Sequence, residues 1–279
     1  MTTISGPTID AARALDVALC RSLLYQALAL GFRTPTARTL SRLAGADETL
    51  ALAEAAAVLD ADGGTGLAPK VRALAASPDA GTSESLAATY RHLFGHTVRG
   101  PIPPYETEYG DDTLFQKPQE MSDIAGFLRA FGLVVDPRRS ERIDHVSCEL
   151  EFLAFLSRKE AHALETGDEA MRAETRRATR LFLKDHLARF VPSFTQRVES
   201  ADPGGFYGRL AALCRDLVRS ECARFEAPAG PEMLRLRLPL DDNAPIACGG
   251  AEGCAPGPGG PGDATGACGP EACGPGGNG

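Results

Sequence analysis

Apolar residues recur along most of this chain at intervals of three and four, a rhythm that predicts a succession of α-helices. Over 10–30, Ala14, Leu15, Ala18, Leu19, Leu23, Tyr25, Leu28 and Leu30 build a long first helix that Gly31 ends. Shorter helices follow at 35–43, 48–59 and 67–75, the second of them Ala-rich and closed by Asp62, Gly63 and Gly64. A further helix opened by Ser83 carries Leu86, Tyr90, Leu93 and Phe94 and stops at Gly95. Periodicity resumes at 118–131, with Met121, Ile124, Ala125, Leu128 and Phe131 on one face, and Gly132 ends it; the LVVD segment beyond reads as a buried connector. The segment 141–158, ERIDHVSCELEFLAFLSR, reads as the central helix. Its stripe of Ile143, Val146, Leu150 and Leu153 is widened by Phe152, Phe155 and Leu156, which predicts burial on more than one side. Asp168 is a good N-cap for a charged helix over 169–190, whose Arg172, Arg176, Arg177 and Arg180 form a solvated ridge. Pro192 is expected to break that helix, a brief continuation follows at 194–198, and a last helix spans 204–224. The fold class is all-α.

Two stretches depart from the rhythm. Between 95 and 115, Gly100, Pro101, Pro103 and Pro104 forbid a continuous helix, and a loop of this length inside a domain is more often functional than idle. There Tyr105, Tyr109 and Phe115 stand among Glu106, Glu108, Asp111 and Asp112, a mixture of aromatic faces and carboxylates suited to a peptide bearing apolar and basic side chains; a loop whose tyrosines only pin it to the core is the plainer alternative. Beyond 225, Pro228, Gly230 and Pro231 interrupt the pattern, MLRLRLPL alternates apolar residues with Arg, and Gly, Pro and Ala dominate from 244. Such a composition buries too little apolar surface to offset its ordering entropy. The expected organisation is therefore one compact helical domain over 1–226 and a disordered Cys/Gly/Pro-rich tail over 227–279.

A net charge of −8 argues against a nucleic-acid surface, which needs clustered Lys and Arg, and favours a basic partner. The first twenty residues lack a basic n-region, and Asp10, Arg13 and Asp16 interrupt their apolar positions, so they read as an amphipathic helix and not as a secretory signal. No uninterrupted apolar run approaches the roughly 18 residues of a membrane span. These features predict a cytoplasmic protein without membrane insertion, its eight cysteines mostly reduced. Four of them, Cys248, Cys254, Cys268 and Cys273, lie in the Gly/Pro-rich tail, where four thiolates can close a zinc site or hold an iron–sulfur cluster. Their spacing is looser than the usual two-residue knuckle. Cys20, Cys148, Cys214 and Cys222 fall within helical patterns and read as small core residues.

The central segment places Asp144, His145 and Glu149 in what the periodicity takes as its first turns, groups that are costly to bury without partners. His145 and Glu149, four apart, share a helical face on which the carboxylate can orient the imidazole; a histidine simply satisfied within a helix is the plainer alternative. No Glu-x-x-His pair, His-Glu-x-x-His motif, Walker loop, dinucleotide fingerprint or serine elbow occurs, and no nucleophile accompanies Asp144 and His145 at a readable spacing. A binding protein is expected, not an enzyme.

The order of an LFG turn (Leu93, Phe94, Gly95), a Pro-Tyr-Glu loop (Pro104, Tyr105, Glu106) and an Asp-His followed by Glu-Leu-Glu-Phe (Asp144, His145, Glu149, Leu150, Glu151, Phe152) closely resembles the TorD/DmsD/NarJ chaperones. The resemblance spans roughly 10–225. It implies an all-helical TorD-like domain, monomeric or dimeric, with no required cofactor. Its implied partner is the precursor of a molybdenum oxidoreductase catalytic subunit, whose twin-arginine signal peptide and apo-form the chaperone binds, assisting cofactor insertion and holding back export. Carried over by position, Leu93, Phe94, Gly95, Pro104, Tyr105, Glu106, Tyr109, Asp144, His145 and Glu149 line or support the recognition groove. Exchange of Asp144 and His145 for alanine is then expected to weaken peptide binding and leave helicity intact. The alternative is a maturation factor that handles metal or an iron–sulfur unit through Cys248, Cys254, Cys268 and Cys273.

Overall fold

A computed structural model describes residues 9–77, 81–95, 100–111, 116–134 and 141–237. Over these the helical rhythm becomes α1 (Ile9–Gly31), α2 (Ala37–Ala44), α3 (Ala46–Gly63), α4 (Leu67–Ala75), α5 (Ser83–Phe94), α6 (Gln116–Ala130), α7 (Val146–Thr166), α8 (Glu169–Phe182), α9 (Ala188–Ala201) and α10 (Phe206–Arg224). No β-strand longer than an isolated bridge occurs among the described residues. The tail cysteines Cys248, Cys254, Cys268 and Cys273, with Asp112 and Phe115 of the loop, lie outside the described residues.

Helices α1 and α7 form the most extensive helix pair, and the core grows outward from them. On α1 the inner positions Val17, Ala18, Leu24, Tyr25, Leu28 and Ala29 are buried, and the Ser22 hydroxyl donates to the Ala154 carbonyl of α7 at 2.9 Å. Each large apolar side chain so buried contributes about 1.5–3 kcal/mol before entropy is counted. Residues 10–31 are long and apolar enough, by length and composition alone, to cross a membrane, yet half of the qualifying stretch is buried against the rest of the fold. The same face also carries Arg21, buried between Glu160 of α7 and Glu221 of α10 at 2.6 Å each. Burial opposes the charge of that guanidinium, but Glu221 and Glu160 outweigh it and raise its pKa. Three helices are thereby pinned at one point.

Helix α7 begins later than its periodicity suggests. His145 has extended backbone angles (φ −71°, ψ 135°) and serves as the N-cap, so Asp144 and His145 precede the helix instead of occupying its first turns. Gly167, at φ 69°, supplies the left-handed residue that ends it. The LVVD connector is also less buried than expected: Leu133 is half-buried and Val134 is exposed, while residues 135 and 136 lie outside the described residues.

Pro192 does not break its helix. The helical run continues from Glu169 to Ala201, with a π-helical turn at Leu183–Leu187 joining α8 to α9. Proline removes the N–H that would reach the Ala188 carbonyl four residues back. That carbonyl instead accepts the Gly230 N–H at 2.8 Å, so the segment after α10 repairs the defect.

The composition change at 226/227 is accordingly not the edge of the packing. One compact unit runs to residue 238, and residues 227–237 lie against α9 and the loop before α6. Leu234 N–H donates to Ser193 Oγ at 3.0 Å, Arg197 donates to the Leu234 carbonyl at 2.8 Å, and Leu236 bridges Tyr109. Within 233–237 the alternation of MLRLRLPL turns Leu234 and Leu236 toward the core.

Candidate functional site

The loop after α5 is fixed first by backbone. Gly95 leaves the helix at φ 76°, where a side chain is strained, and a Cβ there would also meet Gly100 Cα at 2.8 Å. The Ile102 N–H returns to the Leu93 carbonyl at 3.0 Å. Farther on, Val146 N–H donates to Pro104 O at 2.8 Å, Glu106 N–H to Asp144 O at 2.9 Å, and Arg237 N–H to Glu108 O at 2.9 Å. Isolated bridges join Tyr105 to His145 and Tyr109 to Leu236. A 3₁₀ turn at Glu106–Glu108 is thus clamped between the start of α7 and the chain that follows α10.

Side chains of the LFG turn and of Tyr109 form the apolar floor. Leu93, Phe94 and Tyr109 are buried; Phe94 packs on Tyr90, Phe194 and Tyr207, while Tyr109 packs on Phe190 and donates its hydroxyl to Pro103 O at 2.9 Å. They face the core and carry the loop from beneath.

Above them lies a buried ionic network. Arg142 meets Asp144 at two points, Nε to Oδ1 at 2.9 Å and Nη2 to Oδ2 at 2.6 Å, and Nη2 also donates to Thr107 Oγ1 at 2.7 Å. The guanidinium covers the Tyr105 ring at 4.9 Å, and that ring meets His145 edge-to-face at 5.1 Å. Glu106 is fully buried; its Oε1 accepts from Arg189 Nη2 at 2.6 Å, and its Oε2 lies 3.1 Å from His186 Nδ1. Glu108 pairs with Lys117 at 2.8 Å. Glu120 receives Arg189 at 3.0 Å and both terminal nitrogens of Arg237 at 2.9 and 3.0 Å. Glu106 and Glu108 of the loop are therefore neutralised from within. Glu106, Glu108 and Asp144 spend their charge on this chain's own cations, contrary to a groove edged by free carboxylates; Asp111 is exposed.

His145 and Glu149 have separate roles. His145 Nδ1 accepts from the Ser147 N–H at 3.1 Å and lies 2.7 Å from the Ser147 hydroxyl, which caps α7. Burial, with Arg33 and Arg142 adding to it, lowers its pKa to about 3, so the ring is neutral with its proton on Nε2. Glu149 does not orient it. Both Glu149 oxygens are buried without a hydrogen-bond partner, and its pKa stands well above the usual carboxylate range, through burial first and then through Glu106 and Asp144.

Of the ten residues singled out by sequence, Pro104, Tyr105, Glu106, Asp144, His145 and Glu149 come together at the clamp, Leu93, Phe94 and Tyr109 form its floor, and Gly95 is the hinge into the loop. Sequence reasoning passed over Thr107, Arg142, His186, Arg189 and Arg237. Arg142 stood two residues from Asp144, and Arg237 within a visible alternation; His186 and Arg189 reach Glu106 across about eighty residues, a contact no local pattern encodes. Among the described residues, no group of three or more His, Cys, Asp or Glu side chains is placed to hold a metal ion, and Cys20, Cys148, Cys214 and Cys222 are free.

The family described as nitrate reductase delta subunit matches residues 51–196, more than half of the chain and nearly all of the network just described. The chain belongs to this family, that of the TorD-like molybdoenzyme chaperones. Within the TorD-like group it is 30% identical to the chaperone protein TorD of Vibrio cholerae over 138 residues, 49% of this chain and 60% of that protein. It is 33% identical over 148 residues to the selenate reductase assembly chaperone protein of Thauera selenatis, covering 51% of this chain and 72% of the relative. The chlorate reductase assembly chaperone protein of Ideonella dechloratans is 32% identical over 148 residues, 50% and 70% of the two chains. The match spans about 60% of the length of the TorD relatives.

Proposed function

We propose that this TorD-like chain is a dedicated assembly chaperone for the catalytic subunit of a molybdenum oxidoreductase. It binds the subunit's twin-arginine leader and its apo-form in the cytoplasm, and holds back export until cofactor has been inserted. Family membership supports the chaperone role, as do relatives named as assembly chaperones of selenate and chlorate reductases. The observation that carries the finer reading is the clamped loop. The charges of Glu106, Glu108 and Asp144 are paired internally, so the loop is held before any partner arrives, and that rigidity lowers the ordering cost of binding. At its outer edge the half-buried Tyr105, its hydroxyl 3.3 Å from Glu141, offers an amphipathic aromatic surface to a peptide.

The test is co-expression of the full chain with the precursor of a molybdoenzyme catalytic subunit from the same host, with and without its leader. The chaperone should co-purify with the cofactor-free precursor and lose most of that association when the leader is removed. Recovery of neither precursor nor leader would rule the reading out.

A further inference from the structure

We propose that residues 234–237 fill a site for an extended peptide that alternates apolar residues with arginine, and that a client segment of this kind displaces them. The inference rests on the function proposed above and deepens it. The strap formed by 234–237 is then an internal competitor of the leader.

Arg237 shows what the site recognises. It lies beyond α10 and outside any helix, yet its side chain is only 2% exposed and each guanidinium nitrogen has an acceptor. Nη1 and Nη2 meet the two Glu120 carboxylate oxygens at 2.9 and 3.0 Å, Nη1 also donates to Thr107 O at 2.9 Å, and Nε donates to Asp111 O at 3.1 Å. A lysine lacks the planar fork that reaches a carboxylate and two carbonyls at once. A Cβ at Gly110 would stand 3.3 Å from Arg237 Nη2, so the glycine leaves room for the guanidinium. This is a complete arginine socket, and it holds an occupant.

The backbone of that occupant pairs as an added strand does. Gly110 N–H donates to Arg235 O and Arg237 N–H to Glu108 O, each at 2.9 Å, and an isolated bridge joins Leu236 to Tyr109. Main-chain bonds of this kind accept many sequences, and the choice falls to alternate side chains. Leu234 and Leu236 pack against the core, Arg235 between them is exposed, and Arg237 enters the socket. A leader that joins arginine to apolar residues offers the same groups to the same edge. Glu106 and Glu108 are paired with Arg189 and Lys117, cations fixed on helices, whereas Arg237 is carried by a segment attached through its edge. While the strap is seated, the apparent dissociation constant of an incoming peptide is raised by the scarcity of open chains, so loosening the strap tightens peptide binding.

The experiment uses the full chain and two labelled peptides: PEMLRLRLP, the sequence of 231–239, and the arginine-bearing leader of a molybdoenzyme precursor from the same host. Fluorescence anisotropy compares wild type with Arg237→Ala and with Arg237→Ala combined with Glu120→Gln. Arg237→Ala should bind both peptides roughly fivefold or more tightly than wild type, and Glu120→Gln should cancel the gain. Hydrogen exchange on the wild type supplies a reading that needs no variant: the leader should speed exchange at the Leu234 and Arg237 N–H groups while Gly110, covered by the incoming peptide, stays protected. Leader binding equal in wild type and Arg237→Ala, with unchanged exchange along the strap, would overturn the inference and leave the leader-binding reading standing. Weaker leader binding by Arg237→Ala would make the strap a support of the site and would overturn it equally. Binding of PEMLRLRLP by Arg237→Ala, with no binding of the leader by either form, would defeat the leader-binding reading itself.

Discussion

Arg142 and Asp144, separated by one residue, close a two-point ion pair beneath Tyr105, and the Asp144 side chain is fully buried while Arg142 remains one-quarter exposed. The pair does not wait for a ligand. It fixes the chain just before α7 to Thr107 of the 3₁₀ turn, so the two stretches that the sequence marked as separate motifs become one rigid unit.

Asp144→Ala should therefore act on stability before it acts on binding. It strips Arg142 and the Thr107 hydroxyl of their shared acceptor, and removing one partner of a buried pair costs about 3–5 kcal/mol. Urea denaturation should show a lower midpoint with little change in slope. A variant as stable as wild type would mean that the pair is dispensable to the fold.

His145 separates capping from ligand binding. Asparagine can accept from the Ser147 N–H and alanine cannot, so His145→Ala should lose about 1 kcal/mol more than His145→Asn through the cap. With its pKa lowered from 6.5 to about 3, the ring stays neutral in the fold while the unfolded chain protonates. Its contribution is complete above pH 6.5 and is lost as pH falls toward 3. Proton NMR should find no titration of this ring between pH 5 and 8; a midpoint near 6.5 would contradict the capped, buried geometry.

The helices were legible because burial follows a 3.6-residue period, and Gly95, Pro104 and the Asp144-His145 pair were legible because their spacing is local. The burial of the loop's charges was not. Glu106 reads as an exposed acid until Arg189 and His186, brought in by α9 and the π turn, are seen to cover it. Pro192 misled for a similar reason: the donor that rescues the Ala188 carbonyl is Gly230, beyond a whole further helix. Local pattern reports which face is apolar. It does not report which distant cation arrives.

Glu149→Gln should stabilise the protein at neutral pH. The wild-type carboxyl holds its proton in the fold but releases it near pH 4.5 when unfolded, so its contribution is complete below pH 4.5 and declines as pH rises above it. Glutamine has the same shape and no proton to lose. The stability difference between variant and wild type should grow with pH from 4.5 upward, measured by denaturation at a series of pH values. A difference independent of pH would show Glu149 ionised in the fold.

Residues 227–237 provide the last test, because composition places them in the tail and packing places them in the domain. A chain ending at 226 loses Arg237 from Glu120, Thr107 O and Asp111 O, and loses the pairing of Arg235 and Leu236 with the loop at Gly110 and Tyr109. Glu120 then keeps Arg189 and loses Arg237, and the Ala188 carbonyl at the Pro192 defect loses its donor, Gly230. Against a chain ending at 238, the shorter form should be less stable by about 3 kcal/mol, which for a domain of this size is roughly 6–12 °C in Tm. Arg237→Ala in the full chain should reproduce a large part of that loss. Equal melting of the two truncated chains would return the segment to the tail and remove the clamp on the 3₁₀ turn.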